Sequence, residues 1–283
     1  MGHLRLIAAV VAVALVTGAG YWATTLGRES SVATDAADME HIHGLGVDPA
    51  DGVLYAGTHH GLFRIDDNGV ATQVADRVRD FMGFTVAGPG HFLASGHPGA
   101  GQSGPSALGL IESTDGGESW TALSLAGDAD FHSLEYRHGR VYGLDALTSE
   151  LMVSSDLEDW EPRGQLPIAD FAVSPTEPET ILVTSQQGPA LSTDGGRTFR
   201  RVDGGPLVFL VSWADDGTVV GLTPDGDVYT SADPGSEWVR RGSVGGAPEA
   251  LTAVSGSEIH AASQGKVLSS RDGGDTFTTL HPR

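Results

Sequence analysis

The chain of 283 residues contains no cysteine. That excludes disulfide bridges, a thiolate nucleophile and Cys-ligated zinc or iron–sulfur sites. Positive charge is scarce: 16 Lys and Arg stand against 37 Asp and Glu, a formal net charge of -21. Nucleic acid and anionic membrane surfaces repel such a chain at long range, so neither is an expected partner, whereas a cationic ligand suits it. No phosphate loop, nucleophile elbow or dinucleotide fingerprint occurs, and the paired glycines of AGPGHF (87–92) belong to a hairpin rather than a strand-to-helix turn. Glycine is abundant instead, with 40 residues beside 14 prolines and no Gly-X-Y period, which is the composition of a turn-rich all-β protein. A hydrophobic content of 40% is enough for a full core.

The one membrane-length apolar run is at the start, where Arg5 precedes Leu6 to Ala23. At about 18 residues it reaches the threshold for spanning a bilayer and exceeds most signal-peptide cores. Residues 1–27 therefore read as an N-terminal hydrophobic helix serving as a membrane anchor, with a cleaved signal peptide as the alternative. Either form places the rest of the chain in an extracytoplasmic location. Residues 28–38 read as a short solvated linker.

Self-similarity organises the remainder. STDGGESW (113–120), STDGGRTF (192–199) and SRDGGDTF (270–277) recur at about twice 39 residues. Degraded copies fill the midpoints: SSDLEDW (154–160) and SADPGSEW (231–238), with DDNG (66–69) standing first. Six units follow, starting near Met39, Arg79, Asp130, Ile168, Leu207 and Ala247. Each carries apolar alternation, a Gly-rich turn, a second short strand and the Ser-x-Asp hairpin, so the expected fold over 39–283 is all-β, a single six-bladed β-propeller.

The Ser-x-Asp-x-Gly-x-Thr/Ser-Trp/Phe pattern resembles the Asp-box, or BNR repeat, of sialidases, some other glycosidases, and the non-enzymatic propellers of sortilin and of a photosystem II assembly factor. The likeness covers nearly all of 39–283 and is one of repeats, not of an active site. Physically, Asp115, Asp194 and Asp272 are placed to accept backbone N–H groups within a hairpin. The glycines after them supply positive φ, and Trp120, Phe199 and Phe277 are expected to pack between blades. These aspartates therefore read as structural rather than as calcium ligands or catalysts.

Histidine is the remaining signal. Aligning the inner strands places HGLGV (43–47) over MGFTV (82–86) and HSLEY (132–136), so His43, Met82 and His132 become equivalent. Later blades put Ala169, Phe209 and Ala250 there. Aligning the second loop places GTHHG (57–61) over SGHPG (95–99), matching His59 to His97. The candidate site is thus His41, His43, His59, His60, Met82, His97 and His132, at the mouth of the central channel in blades one to three. Six imidazoles and a thioether without cysteine suit copper, with zinc as the other candidate, bound as the ion or within a small ligand that carries it. The loop after His97, HPGAGQSGPSALG (97–109), reads as a surface excursion, with a lid over the mouth as the alternative. His3, His91, His138, His260 and His281 fall outside this register.

Two other functions compete with metal binding. The resemblance implies a glycoside hydrolase; a sialidase-like site would need an Arg cluster, a Tyr nucleophile with a Glu partner and an acid/base Asp, but no Arg-Ile-Pro motif occurs and the mouth positions carry His, Met, Ala and Phe in place of Arg. Asp80, Asp130, Asp145, Asp170 and Glu249 remain as carboxylates for two-acid chemistry. Of these, Asp80, Asp130 and Asp170 read as turn caps, because RDF, ADF and ADF repeat before inner strands. The third reading is a scaffold for an extracytoplasmic protein partner, which leaves the histidines unexplained.

Overall fold

The computed structural model describes residues 39–283 apart from 76–78, 100, 166 and 236. The anchor and linker expected for residues 1–38 lie outside the described residues. Among the described residues no helix is long and apolar enough to cross a membrane.

Six four-stranded antiparallel sheets make up the fold, each from four consecutive strands. They occupy 42–74, 80–124, 131–165, 168–201, 210–243 and 248–281, so the six repeat units are six propeller blades. Their inner strands are Ile42–Val47, Asp80–Gly88, Phe131–Arg137, Ile168–Val173, Leu210–Trp213 and Pro248–Ala253. Each inner strand packs beside the next, and the sixth beside the first. Closure needs no exchanged strand. Instead His281 Nδ1 donates to Gly69 O at 2.7 Å, joining the last blade's outer strand to the first blade's hairpin.

The core lies between blades. Six apolar clusters each join neighbours, such as Phe81, Phe84, Phe92 and Ile111 of blade two against Tyr55 and Leu62 of blade one. The cluster across the closure joins Ile42, Phe63 and Ile65 to Ala250, Ala262 and Val267. The hairpin aromatics Trp120, Phe199 and Phe277 pack against three of these layers.

The three full Ser-x-Asp hairpins share one hydrogen-bond pattern. In the 192–199 copy, Ser192 Oγ donates to Asp194 Oδ1 (2.8 Å) and accepts from Gly196 N (2.9 Å). Thr198 donates to the same carboxylate through its hydroxyl (2.7 Å) and backbone N–H (2.9 Å). These donors, the Thr198 hydroxyl first, hold the Asp194 carboxyl down at about 2. The second glycine of each box, Gly117, Gly196 or Gly274, has φ between +84° and +93° and faces the preceding blade. A Cβ on Gly196 would come within 2.8 Å of Leu151 Cδ2.

An inner strand is paired on one side only, and the neighbouring blade supplies what the other side lacks. At every boundary a side chain of one blade accepts a backbone N–H of the next: Asp48 from Gly90 (3.1 Å), Ser95 from Phe131 (3.0 Å), Glu135 from Val173 (2.9 Å) and Asp170 from Val211 (2.9 Å). Ser212 from Ala253 (3.0 Å) and Glu249 from Ile42 (3.2 Å) complete the circuit. The inner strands enclose a channel of about 920 Å³. Glu135 opens onto it with 19% side-chain exposure, and burial pushes its carboxyl up to about 7 against the pull of Arg137. Burial likewise pushes Asp170 up to about 6. Asp170 is therefore no turn cap; it joins blades three, four and five, accepting also from Ser133 Oγ at 2.8 Å.

Two outcomes are expected. Gly196→Ala, which combines positive φ with overpacking against Leu151, should cost about 2 kcal/mol of unfolding free energy by denaturant titration; an unchanged midpoint would contradict the packing role. Glu135 binds a proton more tightly folded than unfolded. Its stabilising contribution is therefore full below the ordinary carboxyl range and is lost as pH rises through about 7. The melting temperature of the wild-type protein minus that of Glu135→Gln should fall between pH 5 and pH 8, and a flat difference would contradict it.

Candidate functional site

The mouth is shaped by β-bulges. In blade one the pairing slips between Ile42 and Gly44, leaving His43 as the extra residue. The same slip isolates Met82 between Phe81 and Gly83, His132 between Phe131 and Ser133, and Ala169 between Ile168 and Asp170. A bulge turns one side chain away from the pleat, so equivalent positions are re-aimed in blade after blade. In blade six the bulged residue is Glu249, one place before the expected Ala250. Blade five shows no slip, and its inner strand begins at Leu210, just after Phe209. The match of His59 to His97 holds, since Thr58 pairs with Ile42 as Gly96 pairs with Phe81.

His41, His43 and His59 come together, each with a ring nitrogen within 4.8 Å of the other two. His41 and His43 stack at 4.6 Å between centroids, and His59 meets His43 edge-on at 4.5 Å. The Nε2 atoms of His43 and His59 are 3.2 Å apart. Behind them His59 Nδ1 donates to Asp80 Oδ1 at 2.7 Å. With Nδ1 committed to Asp80, Nε2 is the ring nitrogen that His59 turns to the cluster. Burial, then the nearby His41 and His59, lower His43 to about 4, so His43 is neutral at ordinary pH.

The polar chain continues around the mouth. Asp80 Oδ2 accepts from His97 Nδ1 (3.2 Å), and His97 Nε2 faces Asp130 Oδ2 at 3.3 Å. His132 Nε2 lies 3.0 Å from the same Asp130 oxygen. That hydrogen bond raises His132 above the usual imidazole range despite its partial burial. Burial alone would raise Asp130, but His132 and His97 outweigh it and hold the carboxyl below its usual range. Asp80 and Asp130, read from the sequence as turn caps, are thus histidine partners on adjacent blades. The shared position was visible in RDF and ADF, since both lie two residues ahead of Met82 and His132, as His41 does ahead of His43.

The remaining candidates point elsewhere. His60 Nε2 lies 2.9 Å from Glu40 Oε2, at the exposed edge. Met82 is half-buried, and the channel lining includes His41, His43 and His132 but not Met82. Two of the histidines outside the register have separate structural partners: His91 with Glu112 (2.7 Å), and His138 donating to Ser174 O (2.8 Å). In the loop after His97, residues 101–106 are exposed while Ala107 and Leu108 are buried against the blade.

No family model and no curated protein matches the chain. Solved structures do match its shape. A gluconolactonase of Xanthomonas campestris aligns over 86% of this chain and 87% of its own, with 12% identity and a TM-score of 0.65. The nidogen/laminin complex aligns over 81% and 93%, at 12% identity and a TM-score of 0.61. YCF48 bound to a D1 peptide aligns over 86% and 83%, at 17% identity and a TM-score of 0.55. At these identities the likeness is one of fold, and it supports a six-bladed β-propeller whose function must be argued from its own mouth.

Proposed function

We propose that this chain is an extracytoplasmic propeller that binds a transition-metal ion through His41, His43 and His59, with Asp80 orienting His59 from behind. The observation that carries this reading is the cluster itself, three imidazoles with ring nitrogens within 4.8 Å of one another and two of them only 3.2 Å apart. Imidazole nitrogens bound at about 2.0–2.1 Å to a tetrahedral ion are separated by about 3.4 Å. Small side-chain rotations therefore close the cluster on an ion, leaving a fourth position open toward solvent. An all-nitrogen set accepts copper or zinc, and copper is favoured because it has the highest affinity of the divalent first-row ions for such ligands. The formal charge of -21 draws cations toward the protein. The apolar run Leu6 to Ala23 supports the extracytoplasmic setting.

A glycoside-hydrolase reading would draw on Glu135 and Asp170, whose raised pKa values resemble those of general acids. Both carboxyls, however, are engaged in joining blades, Glu135 by Val173 N and Arg137 and Asp170 by Val211 N and Ser133. A structural role accounts for their burial in full.

Copper titration of the full chain in detergent, followed by electron paramagnetic resonance and zinc competition, tests the proposal. The wild type should bind copper with nitrogen hyperfine structure, His43→Gln should lose one copper equivalent together with its share of that signal, and Asp80→Asn should weaken affinity roughly 10–100-fold. Copper binding that survives His43→Gln unchanged would overturn the assignment.

A further inference from the structure

We propose that the mouth holds a second metal subsite, formed by His97, Asp130 and His132, for a divalent first-row ion. It uses none of the ligands of the three-histidine group and shares with it only the supporting carboxylate Asp80.

The starting observation is Asp130, whose side chain is 8% exposed and whose Oδ1 is buried without a hydrogen-bond partner. An unpaired buried carboxylate oxygen carries a desolvation cost that only a donor or a cation offsets. Among the described residues the ion pairs of Asp130 are with His97 and His132. The carboxylate is also firmly placed. Its backbone N–H donates to Asp145 Oδ1 at 2.9 Å, and the buried Asp145 is held in turn by Leu147 N and by Thr148.

Two imidazole nitrogens already face Asp130 Oδ2, at 3.0 and 3.3 Å. Ligand atoms bound at about 2.1 Å and about 90–105° to one another are separated by that amount, so each imidazole already stands at ligand separation from the carboxylate, and an ion requires the two rings to swing toward each other about it. Binding draws His97 and His132 in on Asp130. His97 is oriented for this, because its Nδ1 rests on Asp80 Oδ2, leaving Nε2 for the ion. Asp80 thus supports one imidazole in each subsite, His59 from blade one and His97 from blade two. Two nitrogens and a carboxylate form a harder set than three nitrogens, suited to zinc, cobalt, iron(II) or manganese.

Cobalt(II) is the probe, titrated into the full chain in detergent, with bound metal counted per chain after desalting and folding followed by circular dichroism melting. The wild type should bind two equivalents. Asp130→Asn and His132→Gln should each bind one, and His43→Gln should also bind one through the other subsite. His132 is exposed, so its substitution reads the site even where Asp130→Asn lowers the melting temperature. Wild-type stoichiometry retained in His132→Gln would overturn the proposal. So would a single wild-type equivalent lost in His43→Gln and kept in His132→Gln, which would leave the three-histidine reading standing. The reverse, one equivalent lost in His132→Gln and kept in His43→Gln, would uphold this subsite and overturn the other.

Discussion

The inner edge of each sheet is the constraint on which the rest of this fold depends. Six strands line a channel without pairing with one another, so each leaves backbone N–H groups pointing toward a neighbour that offers no ladder. Unpaired, they would cost the desolvation of each buried group. The protein answers with a side-chain acceptor at every boundary, from Asp48, which takes the turn N–H of Gly90, and Ser95 through Glu135, Asp170 and Ser212 to Glu249. The last of these accepts from Ile42 across 207 positions of sequence. With the apolar cluster over the same seam, it closes the ring without an exchanged strand.

Where each acceptor sits decides what the mouth can present. At the boundaries from blade three to four, four to five and six to one, the acceptor is a carboxylate on the inner strand itself. In blade six it occupies the bulged position, as Glu249. Blades one and two use Asp48, beyond the inner strand's far end, and Ser95, on the second strand. Their mouth positions are released from that duty, and blade three places its acceptor, Glu135, three residues past the bulged His132. Of these positions His43 and His132 carry imidazoles and Met82 a thioether, with Asp80 and Asp130 between them.

Much of this was legible in the sequence because propeller blades are local. The Ser-x-Asp boxes and their spacing were enough to place six units, each starting within about three residues of an inner strand. The register of His43 with Met82 and His132, and of His59 with His97, was also readable, since the repeated strand order carries equivalent residues to equivalent places. Pairwise chemistry was not. Asp80 and Asp130 resemble turn caps in one dimension, and only the packing of adjacent blades shows that each meets imidazoles. A bulge adds one residue without a compositional mark, which is why Glu249 rather than Ala250 takes the blade-six position. The roles of Glu135 and Asp170 depend on contacts to the following blade, about 38 to 41 residues on, which no local pattern records.

The central claim is that an ion sits among His41, His43 and His59. The most direct test is a crystal structure of the copper-loaded protein, with anomalous difference density recorded on both sides of the copper edge. The account predicts a peak about 2.0–2.1 Å from His43 Nε2 and His59 Nε2, with the Asp80 contact to His59 retained. Copper density elsewhere on the molecule, with His43 Nε2 and His59 Nε2 still hydrogen-bonded to each other, would contradict it.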